Sequence, residues 1–454
     1  MKPLNIVVIG AVAGGATVSS QLRRFLPDAN ITVIGKDSRM GFATCGMPYV
    51  LGGLVESMDS LVSVTPELFR DKKSIDVRLR HEATEIDRPG KKVIVRDLDS
   101  GETEALPYDK LVLSPGGSAR TPEIPGSPSI PVFTLRHFDD MAEFENYLER
   151  THPQRGLVIG GGFIGVELAE NFRQLGIHTE LVEHHGRIMP ISDPDMSGLL
   201  EQEMKENGVV LHLGREVRSV TGDRVCLDDG SEFRADFIAA AVGLVPNTEL
   251  AEEAGLTIGP TGGIATDPFM RTSDPDIYAI GDAAEGRDWF TGKPKRVPLA
   301  WSTHREAFIA ANHIAGGNTE MDGLLGTSIT KLFSLTAGMT GMSEQMLKEE
   351  NMAFKTIIHE SRSNAGYFPG NGKLRLKIHY DPDTRLILGA QAVGEKGADK
   401  RIDIIATAIR GRMTMDDLAA IEIAYSPAYS SPKDPVNMAG YKSMDRPGNR
   451  TDGK

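Results

Sequence analysis

The 454-residue chain reads as an α/β protein with two Rossmann-like nucleotide-binding domains followed by a smaller α+β domain. Three observations predict this. A strand–Gly turn–helix–strand pattern opens the chain, the same pattern returns from Gly156, and the rhythm changes past about Gly326. The length suits several domains at roughly 100–200 residues each.

The first element is Asn5-Ile6-Val7-Val8-Ile9, a β-branched run closed by Gly10. Lys2 and the apolar stretch from Leu4 to Ala16 imitate a short signal peptide, but a buried strand entering a glycine turn accounts for them better. A helix is expected to Arg24, then a strand from Asn30 to Ile34. The turn reads Gly10-Ala11-Val12-Ala13-Gly14-Gly15, with Val12 where a second fingerprint glycine would stand. The following strand ends in Gly35-Lys36-Asp37, without an acid at the usual ribose position. Pro-rich punctuation from Pro115 to Pro131 marks a crossover.

The second unit carries the full fingerprint, Gly160-x-Gly162-x-x-Gly165. Its glycines serve the tight turn, the approach of a pyrophosphate and the close packing of helix on strand, and the helix start offers unpaired N–H groups. Glu183 ends the next strand, His178 to Glu183. A carboxylate there accepts from an adenosine ribose and disfavours a 2′-phosphate, which points to NADH. His184, His185 and Arg187 leave NADPH open, and a turn serving packing alone is the bland alternative.

Farther on, Tyr278-Ala279-Ile280-Gly281-Asp282 is a strand running into Gly-Asp. Asp282 can reach a polyol hydroxyl such as a flavin ribityl chain; on its own an ordinary strand-end turn explains it as well. The α+β segment has strand-like runs at Phe354 to His359, Leu374 to Tyr380 and Leu386 to Val393, before a helix from Ile402 to Ile409. The tail from Asp445 to Lys454 is polar and expected to fray.

Composition narrows the function. Hydrophobic residues at 40% and charged ones at 25% exclude a disordered or collagen-like chain. Fifty basic against 63 acidic side chains, net −13, argue against non-specific nucleic-acid binding and an anionic membrane surface. No run of apolar residues is long enough for a transmembrane helix. Two cysteines cannot build a disulfide framework, so a reducing cytoplasm is expected. No metal site is expected, since adjacent His184 and His185 do not share a helix face.

Cys45 lies in Gly41-Phe42-Ala43-Thr44-Cys45-Gly46-Met47-Pro48-Tyr49, shortly after the first unit's second strand, with no second cysteine within five positions. A two-cysteine redox loop is therefore impossible there. The start of a helix at this point would favour a thiolate. Such a thiolate beside a flavin needs its partner sulfur from outside: a small thiol, a persulfide, or oxygen giving a sulfenate. A buried inert cysteine stands as the alternative. Cys226, in Asp223-Arg224-Val225-Cys226-Leu227, reads as a packed strand residue.

Together these features resemble the flavin-dependent pyridine nucleotide–disulfide oxidoreductases, and within them the single-cysteine coenzyme A disulfide reductase group. The similarity spans nearly the whole chain. It rests on the first glycine turn, the Cys45 segment, Leu113-Ser114-Pro115-Gly116, Tyr278 to Asp282, Val297-Pro298-Leu299-Ala300-Trp301 and, most discriminating, Ala424-Tyr425-Ser426-Pro427-Ala428-Tyr429.

The resemblance implies FAD on residues 1–115 and 256–325, NADH or NADPH on 116–255, and a dimerisation domain over 326–454. It implies a cytoplasmic homodimer whose active site takes residues from both subunits, with no nucleic acid or membrane partner. Cys45 would be the redox nucleophile, able to rest as a disulfide with coenzyme A. Tyr367 and Tyr425 would reach across the dimer, where ordinary amphipathic packing is the alternative. Flavin contacts would come from Gly10, Ala11, Val12, Gly15, Lys36, Ala83, Ser114, Gly116, Asp282 and Ala300. Nicotinamide-cofactor contacts would come from Gly160, Gly162, Phe163, Ile164, Gly165, Glu167, Glu183 and Gly243. Coenzyme A would meet Thr17, Gln21, Arg24, Gly41, Thr44, Lys73, His304 and Lys433, although each basic residue taken singly reads as a solvated surface group. Gly35 replaces the acid that usually holds the FAD ribose, so that contact is lost or moves to Asp37.

The implied reaction is reduction of coenzyme A disulfide. Three rivals remain at this stage. A persulfide or polysulfide reductase would use the same cysteine. An NADH oxidase or peroxidase would carry a histidine in the first glycine turn, which here has none. A non-catalytic flavoprotein would not need the cysteine and tyrosines.

Overall fold

A computed structural model of the chain describes residues 2–444; the polar tail at 445–454 lies outside the described residues. The chain forms two compact units. One holds the residues up to Glu123 with Ile130–Gln154 and Phe237–Leu324; the other holds Ile124–Ser129, Arg155–Asp236 and the chain from Leu325.

At the centre of the first unit is a five-stranded sheet in the order Ile277–Ala279, Lys110–Leu113, Asn5–Ile9, Asn30–Gly35, Asp76–Leu79. Every pair in it is parallel, with Val8 opposite Val33 on one side and Val112 on the other. Parallel strands are covered on both faces, which is why they read as continuous apolar runs. Val7 and Val8, on opposite faces, are both buried. The helix Ala13–Phe25 packs along the helix Ala300–Ile314, bringing the first glycine turn beside a segment far away in sequence. A three-stranded antiparallel sheet, His81–Asp87, Lys92–Asp97 and Thr103–Pro107, completes this wall.

The second unit repeats the pattern with parallel strands Arg155–Ile159, His178–Glu183 and Val209–Leu213 and the helices Phe163–Gln174 and Pro194–Glu206. It also contains an antiparallel sheet ordered Ser328–Leu332, Leu335–Gly341, Ile387–Gly394, Lys373–Tyr380, Lys355–Arg362. The helix Ala398–Arg410 lies on it through Ile402, Ile405 and Ile409. The α+β segment lies in the same compact unit as the second glycine turn. A buried polar knot joins them. Asp193, at the start of the helix Pro194–Glu206, accepts from His379 Nε2 at 2.9 Å and pairs with Lys377 Nζ at 2.9 Å, while its own N–H donates to Gln391 Oε1 at 2.9 Å. Among the described residues no helix is long and apolar enough to cross a membrane.

Candidate active site

Gly10 has φ +102°, and a Cβ there would stand 2.0 Å from the carbonyl oxygen of Ser114; one at Gly15 would stand 1.7 Å from that of Gly10. The turn closes only with glycine at both places. Val12 caps the helix Ala13–Phe25 without a side-chain hydrogen bond, so its first N–H groups are left for a ligand. In front of them opens a cavity of about 630 Å³, lined by Gly10, Ala11, Val12, Lys36, Ser114 and Gly116, with Ala83 also on its wall. Volume, uncapped helix start and the basic side chains of Lys36 and Arg136 fit the expected flavin dinucleotide.

The missing ribose acid has a steric cause. A Cβ at Gly35 would lie 2.7 Å from that of Ala11 and 2.9 Å from Leu79 Cδ2. Asp37, the alternative, pairs with His137 Nδ1 at 2.8 Å on the same cavity wall. That bond raises the His137 pKa against the opposing effect of its burial. Asp282 accepts from Arg136 Nη2 at 2.7 Å. Arg136 and His137 escaped the sequence reading because they sit in no recognisable pattern; only the approach of a distant segment gives them a role.

Cys45 is exposed and free, in a single 3₁₀ turn, Thr44–Gly46, ahead of the short helix Met47–Leu51. Phe42 and Thr44 line the cavity. Gly41 ties this segment to the first turn: its N–H donates to the Ala11 carbonyl at 2.9 Å, and its carbonyl accepts from Ser63 Oγ at 2.6 Å. With φ +57° and Val64 Cγ2 2.1 Å from a would-be Cβ, a side chain at Gly41 would strain the backbone and displace Val64. Glycine suits the loop's path here.

Thr17, Gln21 and Arg24 follow i, i+4, i+7 spacing on one helix face. Thr17 Oγ1 and His304 Nδ1 are 2.7 Å apart, and Lys73 Nζ donates to Ser20 Oγ at 2.7 Å while lying 4.3 Å over the Phe69 ring. Burial lowers the Lys73 pKa. Gln21 Oε1 is buried without a partner, and Arg24 is exposed. Of the residues expected from the family to meet coenzyme A, Thr17, Gln21, Arg24, Lys73 and His304 lie at this helix, Gly41 and Thr44 on the Cys45 loop, and Lys433 is exposed in the second unit.

The second turn is arranged around Glu183. Gly160 has φ +107°, the Gly161 N–H donates to Glu183 Oε2 at 2.6 Å, and the His185 N–H donates to Oε1 at 2.7 Å. The carboxylate is only 4% exposed. Burial pushes its pKa up, but the bonds from His185 and Gly161 outweigh that and hold it below the ordinary value. A Cβ at Gly162 would meet nothing within 4 Å, leaving the approach to the uncapped helix Phe163–Gln174 open. Phe163 and Gly165 lie on that helix with Ile164, which is exposed; Glu167 instead accepts from Thr330 Oγ1 at 2.9 Å. Gly243, φ +98°, belongs to the first unit, as does Ala300 at the start of its helix. His184 and His185 lie past the strand rather than on a helix, so the helix-face argument does not apply to them. With Glu183 they bring three ligand-type atoms within 4.8 Å of one another. The hydrogen bonds onto Glu183 account for that clustering.

Tyr367 lies between the strands Lys355–Arg362 and Lys373–Tyr380, and Tyr425 between the helices Met415–Ala420 and Pro435–Ser443. The neighbouring Tyr367 phenol raises the Tyr425 pKa. Tyr367 is 77% exposed and Tyr425 49%, beside exposed Phe368 and Tyr429. The sequence proposed both tyrosines but not their contact.

Residues 4–303 match the family described as pyridine nucleotide-disulphide oxidoreductase, and residues 327–434 match the dimerisation domain of that family. A coenzyme A disulfide reductase of Staphylococcus aureus (strain JH9) is 38% identical over 440 residues, 97% of this chain and 99% of that protein. Among solved structures, reduced Bacillus anthracis CoADR-RHD superposes with a TM-score of 0.94 at 38% identity, covering 97% of this chain and 80% of its own. An NAD-dependent persulfide reductase from A. fulgidus gives 0.94 at 36% identity, covering 97% and 83%. The water-forming NADH oxidase of Lactobacillus brevis gives 0.91 at 27% identity, covering 97% and 98%.

Proposed function

The chain belongs to the pyridine nucleotide-disulphide oxidoreductase family, and from that premise we propose that it reduces coenzyme A disulfide with NAD(P)H through a Cys45–coenzyme A mixed disulfide. It is an FAD-dependent oxidoreductase. The observation that carries the substrate reading is a single exposed cysteine whose loop is tied by Gly41 to the first glycine turn.

Bound FAD supplies two-electron transfer between nicotinamide and sulfur. The chain's own residues do the rest. The first glycine turn, the uncapped helix start, Lys36 and Asp282 orient the dinucleotide; Gly160, Gly162 and Glu183 receive the nicotinamide cofactor. The Cys45 thiolate attacks one sulfur of the disulfide, the S–S bond breaks, and one coenzyme A leaves as its thiolate. Two electrons and a proton then cleave the Cys45–coenzyme A disulfide, releasing the second coenzyme A and restoring the Cys45 thiolate. Thr17, Arg24, Lys73 and His304 offer donors to the phosphates of coenzyme A on an otherwise acidic chain.

In this reading the protein works as a cytoplasmic homodimer, and the tyrosine pair serves the partner subunit's cysteine. We take Tyr425 to donate to Tyr367, which leaves the Tyr367 hydroxyl proton free to donate outward to a leaving thiolate.

A persulfide or polysulfide reductase is the second reading, favoured by the 36% identity to the A. fulgidus enzyme. NADH consumption by purified protein, offered coenzyme A disulfide, coenzyme A persulfide, polysulfide or oxygen alone, separates them. Fastest turnover with the disulfide supports the first reading. Equal turnover with oxygen alone, or disulfide reduction surviving Cys45→Ser, overturns it.

A further inference from the structure

Arg401, on the helix Ala398–Arg410, is the largest fully buried side chain among the described residues and is 1% exposed. A buried guanidinium is retained only where its donors are met. Here the acceptors come from both tyrosine-bearing segments. Nη2 donates to the Ser363 carbonyl at 2.9 Å, Asp434 Oδ2 at 2.7 Å and Ser430 Oγ at 3.4 Å, and Nη1 donates to the Gly397 carbonyl at 3.2 Å. Asp434, 2% exposed, also accepts from Ser430 Oγ at 2.6 Å and caps the helix Pro435–Ser443 through the Val436 N–H at 3.0 Å. Space is reserved for this arrangement: a Cβ at Gly397, φ +77°, would lie 2.2 Å from Arg401 Nη1.

Ser363 opens the segment leading to Tyr367, and Ser430 and Asp434 close the one leading from Tyr425. Two further bonds join the segments directly. Asn364 Nδ2 donates to the Pro427 carbonyl at 3.0 Å, and the Ala365 N–H donates to that of Ser430 at 3.1 Å. Neither segment has regular structure around its tyrosine, so without a common anchor each phenol would wander independently.

We propose that Arg401 is a positioning residue that, through Ser363, Ser430 and Asp434, holds the Tyr367 and Tyr425 segments in register so that the two phenols act as one donor pair. This rests on the reading that the tyrosines serve the sulfur chemistry. A planar fork suits the task because it reaches a carboxylate and a carbonyl on different segments at once; a lysine point charge does not.

The test uses the full-length FAD-loaded protein. In Arg401→Met and Asp434→Asn, kcat for disulfide reduction should fall by about tenfold while KM for NADH holds. The late ionisation of Tyr425, followed by tyrosinate absorbance against pH with Tyr425→Phe as the blank, should move down to that of a free phenol. Arg401→Lys should recover part of both. Ser430→Ala, a milder cut, carries the same comparison if Arg401→Met does not fold. Folded, dimeric variants that keep both kcat and the Tyr425 ionisation overturn the proposal. If instead Tyr367→Phe and Tyr425→Phe reduce the disulfide at the full rate, the tyrosines' chemical role falls, and the ionisation alone then decides whether Arg401 registers the segments.

Discussion

Glu183 Oε2 accepts the Gly161 N–H at 2.6 Å, beside a space that a side chain at position 161 would narrow. A Cβ at Gly161 would lie 3.2 Å from Glu183 Cβ and Cγ and 3.1 Å from Ile188 Cγ2. The first unit inverts the choice. Gly10 and Gly160 each donate to the second strand of their unit, at Ile34 and Val182, so Ala11 corresponds to Gly161 and Gly35 to Glu183. Where the turn has alanine, the strand must end in glycine; where the turn has glycine, an acid fits.

Gly161→Ala therefore presses on Glu183 and takes room from its carboxylate. The expected outcome is a rise of about tenfold in KM for NADH, near 1.4 kcal/mol, with kcat little changed. Steady-state kinetics in NADH at saturating disulfide measures it. An equal fall in kcat would place the damage at the reacting atoms instead.

A second prediction concerns Glu306, buried in the helix Ala300–Ile314 with Oε2 accepting the Gly281 N–H at 2.6 Å. Burial raises its pKa to about 7, with Asp282 adding to the rise. The folded chain therefore holds a proton that the unfolded chain releases near pH 4.5. Stability from this group is complete below that pH and is lost as pH climbs towards 7, by roughly 3 kcal/mol in all. Glu306→Gln keeps the acceptor for Gly281 without the charge. It should match the parent at pH 5 and exceed it at pH 8 in denaturant unfolding; a constant difference across that range would refute the assignment.

The tyrosine contact makes the two phenols unequal. If Tyr425 donates to Tyr367, as the proposed arrangement has it, the proton available for a leaving thiolate belongs to Tyr367. Tyr367→Phe should lower kcat for disulfide reduction by on the order of a hundredfold, in the lower range for a lost proton donor. Tyr425→Phe should cost less, since the donating hydroxyl survives and only its orientation suffers. The reverse ranking would mean that the direction of the bond is wrong.

Much of this was legible in the chain itself, because glycine patterns report backbone geometry. Gly160, Gly162 and the strand ending in Glu183 marked the second turn, and runs such as Leu374 to Tyr380 became the strand Lys373–Tyr380. What stayed hidden depended on side chains meeting across long separations. Arg136 beside Asp282 and Arg401 between Ser363 and Asp434 are single charges in unremarkable helical or loop context. Gly35 looked like a departure in a cofactor contact, whereas the Cβ of Ala11 explains it as a packing rule.

The last prediction follows from Asp193, which opens the helix Pro194–Glu206 and reaches the inner strands Lys373–Tyr380 and Ile387–Gly394 of the antiparallel sheet. Burial alone would raise its pKa, but the bonds from His379 and Lys377 overcome this and hold it well below the carboxylate range. A lowered pKa stabilises the fold above the unfolded value near 4 and withdraws that stability as pH falls below it. Lys377, itself 5% exposed, also pairs with Asp195 Oδ1 at 2.6 Å; its removal leaves Asp195 with Arg375 Nη2 at 3.0 Å but buried Asp193 with His379 alone among its side-chain partners. Lys377→Met should cost about 3–5 kcal/mol at pH 7, because a buried charge loses its partner. The double variant Lys377→Met with Asp193→Asn should recover a good part of that cost, since the uncompensated charge is gone. Denaturant unfolding of the parent, both single variants and the double closes the cycle. Simple addition of the two single costs would show that Asp193 and Lys377 do not act as a pair.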